Sequence, residues 1–245
     1  NKELGLTITE INTASASAAG LSFIFDDTAG TVKALASEFG TLDAATFGTQ
    51  LNVGLISSNM GISNTEAATL IGSFARMNGG STEIAADMIK TTKEYAKQNN
   101  VIPSAALSDL AANAEAFALF AKEGGKNMIE AAIGAQQLGT SIGTTARISE
   151  GLLDFENSIT KELELGAILG KNINFNKARQ LAYAEDTIGA TKEVLKQLGG
   201  VDAFNLMDVF QKQQAAAAVG VSVHELSKMI HNQNKVATQG EVIQQ

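Results

Sequence analysis

The phrase Gly61-Ile62-Ser63-Asn64-Thr65-Glu66 returns near the other end of the chain as Gly220-Val221-Ser222-Val223-His224-Glu225. Each copy holds a glycine that can end one helix, a serine that can cap the next, and a glutamate three residues on that can bond back to the cap amide. This is the pattern of a C-terminal stop followed by a capping box. Aliphatic pairs follow both copies at matching offsets, Leu70-Ile71 and Met229-Ile230, and Gly139-Thr140-Ser141 echoes the phrase without the glutamate. A chain punctuated in this way folds into helices that turn back on one another. Ser63 with Glu66 and Ser222 with Glu225 are the expected helix caps.

Between these corners the apolar spacing predicts helices of about 10 to 18 residues from about residue 28 onward, and no convincing strand alternation is present. Ile84, Met88 and Tyr95 fall on one helical stripe. Leu152, Phe155, Ile159, Leu163, Gly166 and Leu169 step by three and four with Glu156, Lys161, Glu162 and Glu164 on other faces, which predicts one main amphipathic helix with Leu152, Phe155, Ile159 and Leu163 as its packing seam. Gly166 and Gly170, a small-xxx-small pair, are expected to admit a second helix at its end. Pro103, the only proline, suits the first turn of a helix. Gly-Gly pairs at 79–80, 124–125 and 199–200 are candidate hinges. The expected fold is all-α, an array of short amphipathic helices turning at Gly/Ser-capped corners with no sheet. Its expected organisation is an extended arm over 1–27, a helical N-terminal part over 28–100, a helical domain over 101–235 and a tail over 236–245.

Composition narrows the function. The 245 residues contain 38 Ala and 23 Gly beside 11 Phe, 2 Tyr and no Trp, so helix interfaces are expected to be close backbone approaches. With no Cys, disulfide scaffolds, thiolate metal sites and thiol nucleophiles are excluded. A net charge of -8 argues against a surface that grips nucleic acid, which needs clustered cations. No run reaches the roughly 18 apolar residues of a membrane span; the uncharged stretch from Ala44 to Thr65 is interrupted by Gln50, Asn52, Ser57, Ser58, Asn59 and Asn64. The start at Asn1 shows neither a basic segment nor a cleavage pattern, so no signal peptide is expected, and the missing initiator Met suggests a piece of a longer chain.

Catalytic patterns are sparse. His224 and His231 lie seven apart on one expected helix, about 10 Å by rise, too far to share a metal. Carboxylates at Asp154 and Glu156, and at Glu162 and Glu164, stand two apart and point to different helix faces, and Asp26-Asp27 has no evident partner. Gly166-Ala167-Ile168-Leu169-Gly170-Lys171 lacks the spacing and the Ser or Thr of a phosphate loop, with Asn172 in that place. Neither a zincin motif nor a nucleophile elbow is present. No catalytic residue, cofactor or metal is expected, and the chain does not read as an enzyme.

The block Gly151-Leu152-Leu153-Asp154-Phe155-Glu156-Asn157-Ser158-Ile159, its continuation Leu169-Gly170-Lys171-Asn172-Ile173-Asn174-Phe175-Asn176-Lys177-Ala178-Arg179, and the segment Val219-Gly220-Val221-Ser222-Val223-His224-Glu225-Leu226-Ser227-Lys228-Met229 resemble bacteriophage tail tape measure proteins. The likeness is strongest over 104–233. It implies a structural virion protein inside the tail, at the tail tip or baseplate end, that nucleates tube assembly, sets tail length and leaves ahead of the DNA. It also implies baseplate hub or tail tip proteins and the tail tube protein as partners, about three copies around the tail axis, no specific nucleic-acid binding, and host-membrane contact during ejection. The corresponding protein of a contractile injection system or tailocin fits equally. A helical membrane-active or adaptor protein is the alternative from another class, and nothing here supplies the residues of a peptidoglycan-cleaving domain. A ruler of 245 residues would be one helix about 370 Å long. The recurring stops forbid that, so the expectation is the folded portion of such a protein.

Overall fold

In the computed structural model, which describes residues 28–40 and 46–243, every regular element is helical. The expected arm over 1–27, including Asp26-Asp27, lies outside the described residues. Fourteen α-helices follow one another among those residues. They are α1 (Thr28–Phe39), α2 (Phe47–Met60), α3 (Asn64–Met77), α4 (Thr82–Gln98), α5 (Pro103–Ala112), α6 (Ala114–Phe120), α7 (Lys126–Leu138), α8 (Ile142–Leu153), α9 (Phe155–Leu169), α10 (Asn176–Tyr183), α11 (Thr187–Gln197), α12 (Gly200–Leu206), α13 (Val209–Val219) and α14 (Val223–Ile243). The described chain is all-α, with no strand.

The described residues form two compact units, the first up to residue 118 together with 123–126, the second of 119–122 and the residues from 127 on. The expected division near residue 100 is therefore corrected. Pro103 does open a helix, at its first position, but that helix packs on α3 and α4 and belongs with them. The expected tail from 236 is corrected as well, because α14 continues to Ile243.

In the first unit α3 is the centre, packed by α1, α2, α4 and α5. Its sequence explains how one helix can serve four neighbours. Ala67, Ala68, Gly72, Ser73 and Ala75 are buried between the larger Leu70, Ile71 and Phe74, so short side chains admit neighbouring helices on several sides. A Cβ on Gly72 would lie 2.8 Å from the Glu38 Cβ, which marks the close approach of α1. The carboxylate of Glu38 also meets Arg76 at 3.0 Å. At the far end of α3, Phe74 meets Phe117 edge-on with ring centroids 5.0 Å apart. The chain crosses this pair at Gly125, where φ is +94° and a Cβ would lie 2.7 Å from the Phe117 ring, so only glycine fits there. Asn78 fastens the same turn by donating to the Phe74 and Gly124 carbonyls at 2.7 and 3.0 Å.

Helix α4 departs from its expected face. Ala85, Ala86, Ile89, Thr92 and Ala96 are its buried residues, whereas Ile84 and Tyr95 are exposed. Three alanines with Ile89 and Thr92, not Ile84 and Tyr95, mark the side that packs.

The second unit is organised around α8, which packs on α9, α10 and α11, with α9 lying against α13 and α14 closing on α11, α12 and α13. Its core joins Ile148 and Leu152 of α8 to Ile173, Phe175, Val194, Leu198, Phe204, Leu226, Met229 and Ile230. Asn232 of α14 donates to the Leu138 carbonyl at 3.1 Å, and Gln233 donates to that of Lys192 at 3.1 Å. A close approach of two helices in this unit is at Gly134 of α7, where a Cβ would meet Ile188 at 2.5 Å. Gly134→Ala should therefore overpack this contact at a cost of about 1–3 kcal/mol. Urea denaturation should show the loss, and a second change, Ile188→Ala, should return part of it; an unchanged midpoint in Gly134→Ala would refute the contact.

Candidate functional site

The blocks 151–159 and 169–179 run from the end of α8 through α9 and the following loop into α10, whereas the segment 219–229 lies at the end of α13 and on α14. Asp154 ends α8 and begins α9, with φ -74° and ψ 79°, and its side chain accepts from the Asn157 amide at 3.4 Å. This break divides the expected single seam. Leu152 lies on α8 and is buried, whereas Phe155, Ile159 and Leu163 lie on α9 and are 51, 45 and 68% exposed. The expectation that these four form one packing seam is thus corrected. The buried residues of α9 are Ser158 and Leu165.

A buried arginine holds that face. Arg179 of α10 donates to Ser158 Oγ at 3.0 Å, to Glu162 Oε2 at 2.8 Å and to Asn176 Oδ1 at 2.6 Å. The Phe175 amide adds a 2.8 Å bond to the same Glu162 oxygen. The Arg179 and Glu162 side chains are only 6 and 12% exposed, so each charge depends on the other for what water would otherwise provide. One carboxylate joins the end of the loop to α9, while Ile173 and Phe175 sink into the core beside it. Sequence reasoning set Glu162 on a solvated face and overlooked Arg179; the available signal was that both stand within the family-like stretch, with Arg179 closing its second block.

Gly166 and Gly170 have another use than the expected helix approach. Gly170 is the left-handed stop of α9, φ 62°, with its amide on the Gly166 carbonyl. A Cβ on Gly166 would come 3.2 Å from the Lys171 carbonyl of the same turn, and one on Gly170 would meet nothing within 4 Å. The pair lets the chain fold back on itself and brings no second helix close. Just beyond, Lys171 donates to the Leu198 carbonyl at 2.8 Å, at the end of α11, and burial lowers its pKa.

The repeated phrases form matching corners. Glu66 Oε2 accepts from the Ser63 amide and hydroxyl, both at 2.7 Å, and Ser63 Oγ accepts from the Glu66 amide at 3.2 Å. Glu225 and Ser222 make the same bonds at 2.9, 2.7 and 3.2 Å. A hydroxyl of a second helix adds a small further lowering to each glutamate's pKa, Ser108 for Glu66 and Thr144 for Glu225. The Ser63 amide holds the Glu66 carboxyl below its ordinary range against a smaller opposing effect of burial. For Glu225 the Ser222 amide and hydroxyl do the same, with Arg147 nearby. A further capping box, Asp208 with Gln211, went unread in the sequence.

Among the described residues no group of three or more His, Asp or Glu is placed to hold a metal. His224 and His231 both lie on α14, and His231 Nδ1 is 2.8 Å from the Ser227 carbonyl. Two hollows beside α9 measure about 50 and about 110 Å³, the first lined in part by Arg147, Ser158 and Phe175, the second by Lys161, Glu164 and Gln214. Ligand sites usually occupy roughly 300–1,000 Å³. No protein-family model, curated protein or solved structure matches the chain.

Two outcomes follow from this geometry. Arg179→Ala strands the buried Glu162 carboxylate and should cost on the order of 3–5 kcal/mol in urea denaturation, whereas Arg179→Met with Glu162→Met should recover most of it; equal losses in both variants would refute the clip. The folded pKa values of Glu66 and Glu225 lie below the ordinary value of about 4.5, so both carboxylates contribute stability above that pH that is lost as pH falls through their folded values. Glutamine can serve at the same capping position without titrating. Glu66→Gln with Glu225→Gln should therefore flatten the acid limb of the stability–pH curve, and an unaltered limb would count against both boxes.

Proposed function

We propose that this chain is a folded portion of a bacteriophage tail tape measure protein, a structural component of the tail rather than a catalyst. The observation that carries this reading is that the two family-like blocks meet residue on residue. Ser158 and Arg179 come from the blocks themselves, and Glu162 lies between them. Their polar residues are spent on joining helices, as a scaffold requires and an active site does not. In this reading the domain sits at the tail tip or baseplate end, contacts hub and tube proteins in about three copies, nucleates tube assembly and departs with the genome. The fourteen helices of the described residues, many of them opened by a side-chain cap, suit the docked end of the protein; the length-setting rod belongs elsewhere. The same role in a contractile injection system or tailocin would use the same fold.

Deleting residues 127–235 from the parental gene tests this. Loss of tail assembly is expected, because a hub-bound domain is needed at initiation. Viable particles with tails shortened in proportion to the deletion would show that these residues measure length and would overturn the assignment.

A second reading, a membrane-active adaptor, draws on the apolar corner at Leu206, Val209 and Phe210, which are 88, 74 and 56% exposed. No helix among the described residues is long and apolar enough to cross a membrane. Dye release from phosphatidylcholine vesicles by the purified chain would favour this reading, and intact vesicles are expected under the first.

A further inference from the structure

One face of α9 is left exposed by the described residues of its own unit. Phe155, Ile159 and Leu163 succeed one another at four-residue steps and so share a face, and each is about half exposed or more. The remaining sides of the helix are occupied. Lys161, Leu165 and Ile168 border the hollow shared with α13, and Ser158 and Glu162 are held by Arg179. An isolated exposed leucine is ordinary, but three large apolar side chains in register form a continuous row of the kind that binds a partner.

Charge says what kind of partner. From Glu150 to Thr160 the sequence contains Glu150, Asp154 and Glu156 and no Lys or Arg, and all three carboxylates are exposed. None of them enters the ion pairs formed among the described residues. The nearest cations in sequence border the hollows between α9 and α13, Lys161 both of them and Arg147 the first, and Arg147 also donates to Thr144 at 3.1 Å. The apolar row thus has an acidic end at Phe155.

We propose that this face docks an amphipathic helix of another protein, one with apolar side chains at i, i+4 and i+8 and with Lys or Arg at the end that meets Glu150, Asp154 and Glu156. Helix-in-groove recognition reads that spacing, and opposed charge fixes the direction in which the helix lies. A second copy of the chain fits less well. Parallel pairing of two rows sets the three carboxylates against themselves, and antiparallel pairing sets them beside Leu163, where Lys161 is turned to the α13 side. Residues 1–27 contain Lys2 as their one cation and residues 236–245 contain none, so neither segment carries the cations such a helix needs. The inference does not rest on the tail assignment.

The test uses the whole chain with Leu163→Trp, whose indole is the only one present because the sequence has no Trp. Two synthetic peptides of about 18 residues carry the same apolar row, one with lysines clustered at one end and the other with glutamates in their place. A saturable blue shift is expected with the lysine peptide, at about tenfold higher affinity than with the glutamate peptide at low salt. Ile159→Ser should weaken binding of the lysine peptide about tenfold. Glu150→Gln with Glu156→Gln, which alters no apolar contact, should erase the preference between peptides. Equal affinity for the two peptides, or no shift with either, would overturn the proposal. A blue shift on raising protein concentration alone, with a doubled mass in light scattering that Ile159→Ser abolishes, would assign the face to a second copy instead.

Discussion

Every α-helix leaves amide and carbonyl groups unpaired at its two ends, and a fold that spends its length on short helices multiplies those ends. The structure answers with side chains at Thr46, Ser63, Ser81, Ser141, Asp154, Asp186, Asp208 and Ser222, each accepting from an amide of the helix it opens. Gly61, Gly170 and Gly220 close helices in the left-handed conformation. Everything larger depends on this accounting, because it fixes where the chain turns and hence which helices can meet. Two of the caps feel a neighbouring helix as well, since Ser108 and Thr144 add to the lowered pKa values of Glu66 and Glu225.

The second constraint is size. In a chain so rich in alanine, much of the contact between helices falls on residues too small to announce themselves. Helix α3 is buried among Ala67, Ala68, Gly72 and Ala75, and α13 buries Ala215 and Ala216. Larger side chains are then free to stand outside, as Ile84 and Phe155 do. Where a charge is buried, as at Arg179, it is surrounded by acceptors from two helices, and the cost of desolvation is met in one place.

These two constraints explain what the sequence made legible. A cap is a local device, spelled by residues three apart, so the corners at Ser63 and Ser222 can be read without knowing anything distant. The all-helical class follows from the same punctuation. Faces are decided by neighbours that the sequence does not place, and the rule that large apolar residues mark the buried side misassigned both α4 and α9. The break at Asp154 compounded this by separating Leu152 from Phe155, residues that a continuous helix would have aligned. Gly166 and Gly170 illustrate the same limit, for a spacing that suits helix contact also suits a chain folding back upon itself. Pro103 was correctly placed at the start of a helix, but a helix start is not a domain boundary, and only the packing of α5 on α3 and α4 reveals the difference.

The Arg179 clip has a mechanical side. Its bonds span 21, 17 and 13 residues of sequence, so it closes a short loop. The polar ties of α14 span 94 and 41 residues. Short loops cost little entropy to close and long ones more. Traction applied at the C-terminal end therefore works first on the distant ties and peels α14 from its neighbours. The α9–α10 loop bears load only once the chain beyond it has been drawn out, so the second unit gives way in order from its end and regains its form most readily at the clip.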